Sequence, residues 1–369
     1  DLDSREINKQ TIVGSAETVY ASENAIYLSH TQWNYGYGWP MPMIGVAVDA
    51  VAPTTTTSSP VADSQPDVVD GSDVKPTSIV APEPAMMDNR TYTIIHKFDL
   101  NDGEIDYVGK GKVLGHVLNQ FSMDEFDNHF RIATTTDAQW DNFGKEQTLQ
   151  MNNVFVLDDE METVGILEDL APGERIYSAR FMGERAYLVT FKQVDPLFVI
   201  DLSQPTNPHV LGKLKIPGYS NYLHPIDDTH LIGIGKDAEV GPYDNAYYLG
   251  MKLAIFDVSD VENPKLMHSL VVGDRGTDSP ALYDHKAFLF DKEKELMVLP
   301  IQLSEISESA KKEAVKGGWP AYGEPVFQGA FAYHVTLEDG FDLIGKITHI
   351  DAEADLKSGY YYDYAYQVQ

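Results

Sequence analysis

The sequence predicts an all-β protein, a β-propeller of four-stranded antiparallel blades, on three observations. Five segments repeat one plan, in which a tight turn leads into an apolar second strand: AIYLSH at 25–30, FRIATT at 130–135, AYLVTF at 186–191, HLIGIG at 230–235 and LMVLPI at 296–301. Each is followed by a third strand, and four of these end in Asp: IIHKFD at Asp99, NVFVLD at Asp158, PLFVID at Asp201 and LAIFD at Asp257, with GAFAYHV ending at Val335. Short strand-like runs are separated by turn residues, with no long helical periodicity. Repeated around an axis, such sheets make a propeller.

The elements follow in order. Strand runs group into blades at about 17–118, 119–176, 177–218, 219–276 and 277–351, five complete units within a single domain spanning 1–369. The turns after the third strands of the third and fourth units match position by position. Asp201, Ser203, Asn207 and Pro208 recur as Asp257, Ser259, Asn263 and Pro264. Asp and Ser bond the nearby backbone and set the turn, and Pro fits the start of an edge strand. In the first unit, NDG at 101–103 does the same work. The ends read as partial blades: EINKQTIVG at 6–14 as the last strand of a preceding blade, GYYYDYAYQV at 359–368 as the first of a following one. They either complete a shared sixth blade or belong to a larger ring.

Composition narrows the function classes. The 369 residues carry 57 acidic and 27 basic side chains, a net charge of −30, which argues against nucleic acid as partner. Without cysteine, thiol catalysis, thiolate metal sites and disulfides are excluded. No apolar run approaches the roughly 20 residues of a membrane-spanning helix. The opening residues DLDSREINKQT lack the apolar core of a signal peptide, so the chain is expected to be cut from something longer.

Long insertions fall between second and third strands, at 31–91, 136–152, 236–251 and 302–328, whereas the third unit joins them through KQVDP at 192–196. In antiparallel blades these connections emerge on one face. All four tryptophans, Trp33, Trp39, Trp140 and Trp319, lie in them, with Tyr35, Tyr37, Phe143, Tyr243, Tyr247, Tyr248 and Tyr322. Aromatic rings set among Gly and Pro suit a recognition surface for a protein or glycan; the same rings can instead pack the loops onto the blades, and exposure decides. Trp33, Tyr35, Tyr37, Trp39, Trp140, Phe143, Tyr243, Trp319 and Tyr322 are therefore the candidate ligand-binding residues. Residues 47–88, rich in Thr, Ser, Pro and Asp, are expected to form a disordered arm. Asn89 opens an Asn-Arg-Thr sequon. In the last insertion, Ser304 is expected to cap a short helix over 305–316.

No phosphate loop, nucleophile elbow or two-His zinc helix is present. His224 and His285 fall on first strands, which line the channel, and have both a ligand-binding and a structural reading. Acid-rich DLNDGEID at 99–106 and MDEFDN at 123–128 raise calcium, but neither has EF-hand spacing, and hairpin turns explain both. No cofactor is expected, and no catalytic residue can be named, because a glycosidase carboxylate pair is defined by distance in space.

The segments RIYSARFMGERAYLVTFKQVDPLFVIDLS at 175–203, YLHPIDDTHLIGIGKD at 222–237 and GDRGTDSPALYDHKAFLFDKEKELMVLP at 273–300 resemble the secreted β-propeller domain proteins of bacteria and archaea, distant relatives of WD-repeat propellers. The resemblance covers nearly the whole chain outside the Thr/Ser/Pro arm. It implies an extracellular, often surface-associated propeller, usually longer than this chain, with no catalytic residues to carry over. The expected function is non-enzymatic recognition of a cell-surface protein or glycan through the aromatic loops. The alternative is an extracellular hydrolase or lyase with an acidic site at the central channel.

Overall fold

A computed structural model describes residues 16–33, 90–101, 104–140, 146–192, 195–240, 246–317 and 321–348. The arm at 47–88, Asn89 and the two partial blades at the chain ends lie outside the described residues. Strands form five antiparallel blades, each with its strands in sequence order from the centre outwards. Blade 1 is β1 (Thr18–Ala21), β2 (Ala25–Gln32), β3 (Tyr92–Asn101) and β4 (Glu104–Leu114). In blade 2 the inner strand is split into β5 (His116–Val117) and β6 (Met123–Phe126), both paired to β7 (His129–Thr136). A ribbon of β8 (Gln139–Trp140) and β9 (Glu146–Thr148) rises before β10 (Met151–Leu157) and β11 (Thr163–Leu170).

Blade 3 is β12 (Arg175–Met182), β13 (Arg185–Phe191), β14 (Asp195–Asp201) and β15 (His209–Ile216). Blade 4 is β16 (Tyr219–Asp227), β17 (His230–Val240), β18 (Ala246–Asp257) and β19 (Lys265–Val272). Blade 5 comprises β20 (Leu289–Asp291), β21 (Leu296–Glu305), the helix α1 (Glu308–Gly317), β22 (Glu324–Thr336) and β23 (Gly340–Ile347). The second and third strands of blades 4 and 5 therefore run on into the segments read from sequence as loops. The helix also begins later than expected. Ser304 is a buried strand residue whose N–H donates to Thr277 Oγ1 (3.0 Å), and Ser307 sits at the helix start, accepting from Ala310 N at 3.3 Å. The β21–β22 ladder, which reaches Glu305, pushes the helix on.

The apolar second and third strands exist because the middle of each inner blade is buried on both faces. In β13, Tyr187, Val189 and Phe191 pack towards blade 4, while Ala186 and Leu188 pack towards blade 2; in β14, Leu197 and Val199 face one way and Phe198 and Ile200 the other. Such strands read as continuous apolar runs rather than alternating ones. Two further cores join blades 1 and 2, around Tyr27, Ile95, Phe130 and Leu157, and blades 4 and 5, around Ile232, Leu253, Leu299 and Tyr333.

A second device locks neighbours together at the rim. Every blade has a bulge between its third and fourth strands, and the outer-strand residue at that step is Gly109, Gly165, Gly212, His268 or Gly345. In blades 1 to 4 the turn of the next blade lies against it. A Cβ on Gly165 would stand 1.9 Å from the Pro205 carbonyl oxygen, and one on Gly212 would stand 2.3 Å from that of Val261. Only glycine permits that approach. The turns themselves are the repeated Asp-x-Ser motifs: Ser203 N and Ser259 N donate to Asp201 Oδ1 (3.0 Å) and Asp257 Oδ1 (2.9 Å). Between blades 4 and 5 the ring nitrogen of His268, Nε2, donates instead to the Leu337 carbonyl at 2.9 Å.

Contacts cross the centre between blades 2, 4 and 5. Two interruptions of inner strands put 3₁₀ turns there: Gln120–Ser122 in blade 2, capped by Asn119, and Pro280–Leu282 with His285–Ala287 in blade 5, capped by Ser279 and Asp284. Phe121 meets Tyr222 of blade 4 (ring centroids 5.3 Å apart) and the edge of His285 (4.8 Å), while Gln120 Nε2 lies 3.3 Å from His285 Nε2. His285 is thus on a 3₁₀ turn, not on the first strand proper. His224, on β16, contacts the Tyr222 hydroxyl at 3.1 Å and packs on Phe288 and Phe290. Both histidines serve the filling of the centre.

Two predictions follow from this architecture. Gly212→Ala should destabilise the protein by about 1–3 kcal/mol through the forced shift of the neighbouring turn, whereas Gly345→Ala, with nothing within 4 Å of the added carbon, should change the urea midpoint little. Burial, aided by the Arg180 charge, depresses the His224 imidazole to about 4. Its folded value lies below the ordinary one near 6.5, so the stability it confers is present above pH about 6.5 and is lost as pH falls towards 4. Thermal melts of His224→Gln between pH 4 and 7 should show a shallower pH dependence than the parent.

Candidate functional site

The face carrying the second-to-third-strand connections is also the face on which the inner strands begin. Arg175, at the start of β12, pairs with Phe191 at the end of β13, and Tyr219 pairs with Lys236. His116 pairs with Thr135, and Asp278 bridges Gln302. Loop residues and channel-rim residues therefore converge there.

Between blades 3 and 4 this produces a tyrosine cluster. The rings of Tyr177 and Tyr219 are 4.5 Å apart, Tyr219 and Tyr248 5.2 Å, and Phe191 and Tyr219 4.8 Å, with the Arg175 guanidinium 4.8 Å above Tyr177. Burial, reinforced by the neighbouring Tyr177, pushes the Tyr248 phenol up to about 12, and Tyr219 is raised further by burial. These hydroxyls stay protonated and act as hydrogen-bond donors over any ordinary pH. Across the next gap, Lys236 Nζ pairs with Asp278 Oδ1 at 3.0 Å, and Arg275 lies 4.4 Å over Tyr322 and 5.6 Å over Tyr247. Between blades 1 and 2, Trp33 packs on His116 with centroids 5.5 Å apart.

Of the candidate residues named from sequence, Trp33 and Tyr322 are 44% and 69% exposed. They stand on different blade junctions of the same face. Trp140 closes the β8–β9 ribbon at the level of the backbone. Tyr35, Tyr37, Trp39, Phe143, Tyr243 and Trp319 lie outside the described residues. Sequence reasoning missed Tyr177, Tyr219, Tyr283, Arg175 and Arg275. Tyr283, 76% exposed, follows the Pro280–Leu282 turn beside the rim. The available signal was position: Arg175, Tyr177 and Tyr219 open inner strands, and the start of an inner strand shares a face with the insertions.

The arrangement offers flat apolar rings, phenolic donors and guanidinium groups at one level, chemistry that suits contact with a polar partner rather than bond breaking. No group of three or more His, Asp or Glu side chains is placed to hold a metal ion among the described residues. The acid-rich segments are strands and turns: 123–126 is β6, and Asp127 and Asn128 make the tight turn into β7 with φ of 49° and 58°. No helix among the described residues is long and apolar enough to cross a membrane.

Comparison with known proteins agrees with this architecture. An uncharacterized protein of Methanocaldococcus jannaschii is 45% identical over 209 residues, covering 57% of this chain and 30% of that protein. One of Archaeoglobus fulgidus is 38% identical over 208 residues, covering 56% and 29%. The chain thus spans about a third or less of the length of these relatives. A family model described as a beta propeller domain matches residues 1–369, and with five four-stranded blades in sequence order the chain belongs to that beta propeller domain family.

Proposed function

We propose that this propeller is a non-enzymatic recognition module, secreted or held at the cell surface, that binds a cell-surface protein or glycan through the face bearing its insertions. The observation that supports this reading is the exposure of Trp33, Tyr283 and Tyr322 at three separate places on one face, with Arg275 stacked beside Tyr322. Exposed aromatic and arginine side chains are the types that dominate binding energy at interfaces. The proposal gives the other insertion tryptophans, Trp39, Trp140 and Trp319, the same role.

The extracellular assignment and the distant kinship to WD-repeat propellers rest on the family resemblance, and the charge of −30 favours a neutral or cationic partner over an anionic polymer. The rival reading as a hydrolase or lyase draws less support. Phe121, Tyr222, His285 and Phe288 occupy the centre where converging carboxylates would be needed.

The test is binding of the purified chain to intact cells, envelope fractions and a glycan array. Trp33→Ala and Tyr322→Ala should each weaken binding roughly tenfold or more, and the fourfold substitution of Trp33, Trp39, Trp140 and Trp319 should abolish it. Unchanged binding in all these variants would remove the face assignment.

A further inference from the structure

A second feature of the molecule is a cavity towards the ends of the inner strands, away from the face on which Arg175 and the tyrosine cluster lie. Beside the Gln120–Ser122 turn, inner-strand residues of blades 1, 2 and 3 line this open-mouthed cavity of about 400 Å³, among them Tyr20, Gln120, Phe121, Asp124, Arg180 and Phe181. Its size is within the range of small-molecule sites, and its wall combines rings with a few polar groups.

Arg180 is the unusual member. Its guanidinium lies 4.8 Å over the Phe121 ring and 5.9 Å from that of Tyr222, and its Nε is buried without an acceptor. Stacking on a ring satisfies the face of a guanidinium; of the edge donors, one reaches the Tyr222 hydroxyl and Nε meets no acceptor. Asp124, the carboxylate in the same wall, is already engaged: it accepts from Arg131 Nη2 and, at 3.4 Å, from the Tyr20 hydroxyl. Arg131 has its own second partner in the Gly183 carbonyl at 2.6 Å. Arg180 forms no ion pair with a carboxylate among the described residues, in a chain with 57 acids.

A partly desolvated cation with no direct ion-pair partner, felt by Asp124 only at longer range, costs stability and persists where something compensates it. We infer that the cavity beside Arg180 binds a small organic carboxylate, held by the guanidinium edge with Gln120 as a second polar contact and with Tyr20 and Phe181 as apolar walls. Arginine suits this role because its planar fork matches a carboxylate with two parallel bonds. Burial weakens the ionised form of Arg180, which a bound anion would restore. The site is independent of the insertion face, so either can fail without the other.

The test is isothermal titration of the full 369-residue chain at low salt with sodium glucuronate, sodium acetate and glucose. Glucuronate should bind with a Kd on the order of 1 mM, as expected for a ligand of its size, and glucose should not bind. Acetate binding comparably would identify a bare carboxylate as sufficient; glucuronate alone would identify a sugar acid. Arg180→Met should weaken binding at least about tenfold while leaving the melting temperature unchanged or higher, because an uncompensated charge has been removed. Arg180→Lys, which keeps the charge and loses the fork, should bind more weakly than the parent. No binding of either carboxylate, or parental affinity in Arg180→Met, overturns the proposal. So does a lower melting temperature in Arg180→Met that Arg180→Lys restores, since that assigns Arg180 a structural role.

Discussion

The burial of the two middle strands of blades 2, 3 and 4 on both faces is the constraint from which the rest of the structure follows. A strand such as β13 has no solvent side, so every residue from Ala186 to Val189 is buried, and each large apolar side chain removed from water contributes roughly 1.5–3 kcal/mol. No blade can satisfy that requirement alone. The stabilising unit is therefore the interface between consecutive blades, and four separate cores form in place of one.

The rim and the centre complete the interface in different ways. At the rim, a backbone carbonyl of one blade occupies the space where a side chain of its neighbour would be, at Gly165 and Gly212. In the centre, inner strands converge and leave a gap that their own side chains do not close. The 3₁₀ turns of blades 2 and 5 fill it with Phe121 and His285, at the cost of holding His224 neutral and Arg180 partly desolvated. Polar groups enter the middle of the molecule because main-chain turns, capped by Asn119, Ser279 and Asp284, bring their own hydrogen bonds with them.

Much of this was legible in the chain. Continuous apolar runs marked the second strands, and the paired motifs at Asp201 and Asp257 marked the turns, because both patterns are local. The bulge glycines were visible too, one in TVGIL and one in VLGKL, but their purpose depends on a neighbouring blade and cannot be read within a single strand. The split inner strands were harder. Residues 119–122 and 279–287 look like ordinary strand and turn composition, and only the geometry of the centre turns them into 3₁₀ segments. Likewise the tyrosine cluster draws Tyr177 and Tyr219 from inner strands and Tyr248 from a third strand, three positions with no common spacing. Ser304 misled for a related reason: it has the composition of a helix cap, but the ladder with β22 claims it first.

The turn-to-glycine contact has a consequence for how such a molecule can change over generations. What the glycine meets is main chain, and main chain is the same whichever side chains it bears: QPTN in one turn and DVEN in the next present equivalent carbonyls. A neighbour is accepted for the path of its backbone rather than for its sequence. Blades joined in this manner can drift, duplicate or exchange their decorations independently, so the lineage is free to rewrite one side of the disc without renegotiating the joints that hold it together.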